Sequence, residues 1–320
     1  MSKPLLEIVD LSISFSDQEA PVQKISFTLH EEETLGIVGE SGSGKTLSMC
    51  AILGLLPPNA KVTGSIFLEG KDILHIPERE KRSFRGKKIG MVFQDPMTSL
   101  NPTMKIGYQI VETITLHNKI SYKAAKKKAL DLLDSVFIPY PEKSFHSYPH
   151  ELSGGMRQRV CIAIALSASP SILIADEPTT ALDVTIQAEI LSLFKMIQER
   201  HKLSILIISH NLGVITSLSD RILVMYGGKI VETGLAQEIL QDPQHPYTKL
   251  LLNSYPRLDK KPLQELPTIF GNPPIIQGAK EICSFTERCP YKEEICTSTA
   301  LPTFFHRANC WRCHASKSST

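Results

Sequence analysis

The sequence predicts an α/β fold, a mostly parallel sheet with its functional residues along one edge, followed by a small cysteine-rich segment. Three observations predict it. The glycine-rich loop Gly39-Glu40-Ser41-Gly42-Ser43-Gly44-Lys45-Thr46 follows an apolar run and precedes a stretch that permits a helix. Two further apolar runs, 171–175 and 204–208, alternate with helical spacing, and each ends in polar residues. Five of the seven cysteines lie between Cys283 and Cys313.

Taken in order, Val9, Leu11, Ile13 and Phe15 alternate with polar residues, so 5–15 reads as a strand with one buried face. Phe15 either completes that face or stacks on a nucleotide base. Residues 25–29, 34–38 and 65–68 read as further strands, the last ended by Glu69-Gly70. From Thr46 to Leu56 the one helix breaker is Gly54, so a helix starts at Lys45. Residues 88–93 form a short strand ending at Gln94-Asp95-Pro96. The character then changes. Residues 109–117 and 122–136 have helical spacing, which makes about 95–166 a helical insertion. It closes on Leu152-Ser153-Gly154-Gly155-Met156-Arg157-Gln158-Arg159 and an apolar helix. A helix over 185–199 and a strand pair over 221–231, turning at Gly227-Gly228, complete the pattern. Beyond Asp242-Pro243 prolines become frequent and the rhythm stops, so the boundary falls near 255. That gives a domain over 1–255 and a cysteine-rich segment over 256–320.

Strand, glycine-rich loop and helix together make a phosphate cradle. Glycines let successive N–H groups converge on one anion, and the helix N-terminus adds its positive end. Lys45 brings a mobile charge to the terminal phosphates, and the Thr46 hydroxyl suits Mg²⁺. Asp176 and Glu177 follow an apolar strand. The aspartate can hold Mg²⁺ opposite Thr46, and the glutamate can polarise an attacking water. Adjacent carboxylates at a buried strand end repel without a cation, which disfavours an ordinary turn. Ser153, Gly154 and Gly155 at a helix start are a second anion-binding device; with one complete loop already present, they would serve a nucleotide held by another subunit. His210 at a strand end can donate to a γ-phosphate, and Gln94 can reach Mg²⁺ and water.

The net charge of +2 gives no case for a nucleic-acid partner. The run Lys126-Lys127-Lys128 reads as a solvated helix face. No apolar stretch reaches the ~20 residues needed to span a bilayer, and the first residues lack the apolar core of a signal peptide. The expected place is therefore the cytoplasm, where clustered cysteines bind metal more often than they form disulfides.

Together these residues resemble the ATP-binding-cassette ATPases over about residues 5–240. Gly39 to Thr46 matches their phosphate loop, Gln94 their Q-loop, Leu152 to Gln158 their signature, Ala181-Leu182-Asp183 their D-loop and His210 their switch histidine. The resemblance implies a P-loop NTPase cassette with an antiparallel β subdomain and the helical insertion. It further implies ATP and Mg²⁺ as ligands, Glu177 and His210 as catalytic residues, and Phe15 stacked on adenine. Two such domains would sandwich two ATPs, each phosphate loop facing the partner's signature.

Gln94-Asp95-Pro96-Met97-Thr98-Ser99-Leu100-Asn101-Pro102, His245-Pro246-Tyr247-Thr248 and the cysteines are similar to the oligopeptide/dipeptide/nickel permease branch. That resemblance implies a [4Fe–4S] cluster on Cys283, Cys289, Cys296 and Cys310. Four thiolates also suit Zn²⁺. The wide spacings fit paired C-x2-C zinc ligation poorly, yet Cys310-Trp311-Arg312-Cys313 has that spacing, so zinc with Cys313 or His314 stays open. The implied function is the ATP-hydrolysing subunit of a binding-protein-dependent importer, peripheral on the cytoplasmic face of the membrane, for di- or oligopeptides. Nickel or a metallophore such as an opine is the alternative cargo. The implied partners are two permeases, a sister ATPase in a heterodimer and, indirectly, an extracytoplasmic solute-binding protein. The rival is a soluble cassette ATPase of DNA repair or translation. The short insertion and single phosphate loop argue against it.

Overall fold

The computed structural model describes residues 3–15, 20–180, 182–254, 269–272, 274, 282–306 and 309–313. Its chain divides into two compact units: 1–30, 34–75 and 208–320 in the first, 31–33 and 76–207 in the second.

In the first unit an antiparallel sheet runs in the order Val22–Leu29, Leu6–Ser14, Lys61–Leu68, Lys71–Asp72. The first strand corrects the sequence reading. Leu6, Ile8, Leu11 and Ile13 are buried, whereas Val9 is 37% exposed. The register slips between Val9 and Ser12 where Asp10 takes a left-handed φ of 48°. One extra residue in a strand reverses which face later side chains occupy. Opposite the bulge stands Gly64, where a Cβ would come 2.6 Å from the carbonyl oxygens of both Val9 and Asp10. The glycine makes room for the slip.

A second set of strands in this unit holds the phosphate loop. Thr34–Val38 pairs in parallel with Arg221–Tyr226, which turns at Gly227-Gly228 into the antiparallel strand Lys229–Leu235. Both turn glycines have positive φ, 55° and 75°, the two-residue hairpin that suits strand twist. Lys229–Leu235 then pairs with Asn309–Arg312, and that strand with Thr303–His306. The described part of the tail thus packs with the phosphate-loop unit.

In the second unit Ile89–Val92 lies parallel to Ile172–Asp176, all of whose residues are buried. The helical insertion carries Ile106–His117, Tyr122–Ser135, Pro141–Phe145 and Gly154–Leu166. Ser121 and Ser153 cap the second and fourth of these, accepting from Ala124 N and Met156 N at 3.3 Å each. Gln109, buried in the first helix, exchanges 3.0 Å bonds with the backbone of Asn101 and so pins the loop after Asp95. The helix Val184–His201 matches expectation, with Asp183 as its cap. The helix Glu78–Phe84 was not expected, because Phe84 is its one buried residue and it has no apolar stripe to read. Among the described residues, no helix is long and apolar enough to cross a membrane.

Candidate functional site

The buried strand Thr34–Val38 delivers the chain into the loop. Gly44 caps the helix Lys45–Leu53 with φ 94°, and a Cβ there would meet the Pro21 carbonyl oxygen at 2.5 Å, so only glycine fits. The N-terminal end of an α-helix favours an anion, because its first N–H groups make no bonds within the helix. Lys45 is 5% exposed and folds back over the loop, its Nζ donating to Gly39 O at 2.8 Å and Glu40 O at 2.9 Å. Carbonyl dipoles therefore hold the ammonium inside the curve that a phosphate would occupy.

Two residues from the far end of the chain grip the same loop. The Glu40 amide donates to Tyr247 Oη at 2.9 Å. Its carboxylate receives a forked pair from Arg288 at 2.7 and 3.2 Å. The motif His245-Pro246-Tyr247-Thr248 now has a physical reading. His245 is the helix cap, with Nδ1 accepting from Tyr247 N at 3.1 Å. Burial pushes its pKa down to about 3, which keeps the ring neutral and able to accept. Pro246 opens the helix, and Tyr247 reaches the loop. Sequence reasoning noticed the motif without this role, and it missed Arg288 altogether. Phe15 is half-buried just past the strand Leu6–Ser14, and His210 is exposed just past the buried strand Ser204–Ser209.

The second unit brings Gln94 and Glu177 together: Gln94 Nε2 donates to Glu177 Oε2 at 2.9 Å. Thr180 Oγ1 donates to the same oxygen at 3.0 Å. Glu177 adopts φ 46°, a left-handed backbone that glutamate rarely takes and that surrounding structure must enforce. Asp176, next to it, is 3% exposed at the strand end. Ser153 and Gly154 are exposed at the start of Gly154–Leu166, while a Cβ on Gly155 would come 2.7 Å from Ile186. Ala181 lies outside the described residues; Leu182 and Asp183 are within them. Hydroxyl, amide and carboxylate oxygens from Thr46, Gln94 and Asp176 are the hard donors Mg²⁺ prefers.

Cys283, Cys289, Cys296, Cys310 and Cys313 form no disulfide among the described residues. Burial raises the pKa of the Cys283 and Cys310 thiols. Burial pushes the Cys289 thiol up to about 11, and the neighbouring Cys313, Cys283 and Cys296 push the same way. Along Asn309–Arg312, Asn309 and Trp311 are buried while Cys310 and Arg312 are half-buried, and Cys313 just beyond is buried. The cluster expected on Cys283, Cys289, Cys296 and Cys310 finds no support in the described structure. Among the described residues, no set of three Cys, His, Asp or Glu is drawn together tightly enough to hold a single metal ion. His314 lies outside them.

A family model described as "ABC transporter" matches residues 22–180, and one described as "Oligopeptide/dipeptide transporter, C-terminal region" matches 231–296. The chain is 51% identical over 319 residues to the oligopeptide transport ATP-binding protein OppD of Bacillus subtilis, covering 97% of this chain and 89% of that protein. It is 48% identical to the dipeptide transport ATP-binding protein DppD of the same organism, covering 96% and 94%. Against OppD of Salmonella typhimurium it is 46% identical, covering 92% and 88%. Among solved structures, the dimeric ATP-binding cassette MJ0796 bound to ADP and Pi superposes with a TM-score of 0.65 at 25% identity, covering 72% of this chain and 98% of that one. CbiO1 of Clostridium perfringens gives 0.66 at 26%, covering 75% and 92%. The chain belongs to the ATP-binding proteins of the oligopeptide/dipeptide ABC transporters.

Proposed function

We propose that this ATPase drives uptake of di- or oligopeptides from the cytoplasmic face of the membrane. It would work with two permease subunits and a sister ATPase, supplied by an extracytoplasmic solute-binding protein. The observation that carries the peptide reading is the 46–51% identity to oligopeptide and dipeptide transport proteins along nearly the whole chain. Residues 1–255 form the nucleotide-binding domain in this reading, and 256–320 the cysteine-rich segment. Phe15 stacks on adenine. The loop from Gly39 to Thr46 wraps the phosphates, and Lys45 leaves the carbonyls of Gly39 and Glu40 for the β and γ phosphates. Thr46, Gln94 and Asp176 are the residues that would hold Mg²⁺, which when bound neutralises phosphate charge. Glu177 takes a proton from the attacking water, and His210 donates to the γ-phosphate. Ser153, Gly154 and Gly155 close over the sister subunit's nucleotide. Uptake of radiolabelled tripeptide should vanish in a strain lacking this chain and return when it is supplied. Normal tripeptide uptake with loss of nickel uptake would replace the cargo.

For the tail, the proposal is the [4Fe–4S] cluster that the resemblance implies, on Cys283, Cys289, Cys296 and Cys310. Its support is the resemblance, carried by the number and spacing of these cysteines. Protein purified without oxygen should contain iron and labile sulfide, and Cys310→Ser should lose both. Wild-type iron content in Cys310→Ser would refute that ligand set.

A further inference from the structure

Arg288 and Glu40 stand 248 residues apart in the chain, yet their side chains form a forked ion pair. Its geometry is built rather than incidental. The remaining guanidinium donors go to Tyr226 Oη at 3.1 Å, Ile269 O at 3.1 Å and Phe270 O at 2.8 Å. The Arg288 side chain is 8% exposed and the Glu40 side chain 21%. Beneath the pair, the fully buried Phe285 packs its ring 5.0 Å from Tyr226 and 5.4 Å from Tyr247, the residue that accepts the Glu40 amide. Lys229 Nζ holds the Ile282 carbonyl at 3.0 Å, so the segment is tied down on both sides of Cys283. Pro274, from the same tail, lines one recess with Glu40, Ser41, Gly42 and Ser43.

Glu40 is the second residue of the loop that receives the triphosphate. A carboxylate there repels a polyanion unless something neutralises it. We propose that Arg288 is a positioning residue for ATP: it cancels the charge of Glu40 and fixes the loop, making the affinity of the phosphate site depend on the docked tail. The proposal rests on the reading of this loop as the ATP site. Arg288 acts through Glu40 and holds no phosphate itself.

The sign of the effect separates this role from one of merely anchoring the tail. In titrations of the full chain with the fluorescent analogue mant-ATP and Mg²⁺, Arg288→Ala should weaken binding by about tenfold at low salt, because a partly buried charge-assisted fork is lost and an acid is left uncompensated. Adding Glu40→Ala to that variant removes the repulsion and should restore affinity to within about threefold of wild type. Arg288→Lys, which keeps the charge and preserves folding, should fall between. Wild-type affinity in Arg288→Ala would overturn the proposal. So would a double variant no tighter than the single one, since Arg288 would then act only through Tyr226 and the carbonyls of Ile269 and Phe270. A wild-type chain that does not bind mant-ATP would instead overturn the nucleotide reading.

Discussion

Glu177→Gln should lower ATP turnover by about a thousandfold, in the upper part of the range for loss of a general base, and leave ATP binding intact. The amide is isosteric with the carboxylate, so Gln94 and Thr180, at 2.9 and 3.0 Å from Oε2, keep a neighbour of the same size and shape. The left-handed backbone at 177, φ 46°, is likewise undisturbed by a change beyond Cβ. What disappears is the ability to accept a proton from water. Two donors already converge on one carboxylate oxygen, Oε2, and fix the side chain in place. The measurement is phosphate release by the assembled importer beside mant-ATP affinity of the same variant. Turnover within about twofold of wild type would remove Glu177 from the base role and leave Gln94 and Thr180 as a purely structural clamp.

Much of the site could be read from local pattern, because its parts are contiguous. An apolar strand, a glycine at the helix cap and a lysine after it are neighbours in the chain, and Thr34–Val38, Gly44 and Lys45 take the expected places. Asp176 at the end of Ile172–Asp176 follows from the same logic. The failures share a cause, which is that they depend on something outside the window. Val9 reads as buried by alternation, but the bulge at Asp10 reverses parity, and the glycine that admits the bulge is Gly64 on another strand. Cys283, Cys289, Cys296 and Cys310 read as a cluster by resemblance, yet no three such residues come together for a metal ion among the described residues. Arg288 carries no local mark at all, since its partner is Glu40. The one available hint was charge: an acid inside a phosphate loop needs a cation, and no basic residue near it in sequence other than Lys45 could supply one.

Ser153→Arg should lower ATPase activity of the assembled importer by about a hundredfold, the scale of losing an essential transition-state donor, while this chain still binds ATP with wild-type affinity. Ser153 lies in the second unit, exposed at the start of the helix Gly154–Leu166, and its hydroxyl accepts from Met156 N at 3.3 Å. Losing that cap costs about 1 kcal/mol. The helix tolerates this, because Val160, Ile162 and Ala163 beyond it are fully buried. The damage comes from bulk: a long side chain fills the space where the hydroxyl and the Gly154 and Gly155 amides would meet another subunit's γ-phosphate. Ser153→Ala separates the two causes, since it removes cap and hydroxyl without blocking approach, and it should retain more activity than the arginine variant. Crosslinking with an azido-ATP probe would show nucleotide still bound to this chain. Full activity in Ser153→Arg would exclude the signature from the partner's site. Lost probe labelling of this chain would place Ser153 at its own nucleotide instead, and the two-subunit sandwich would have to be abandoned.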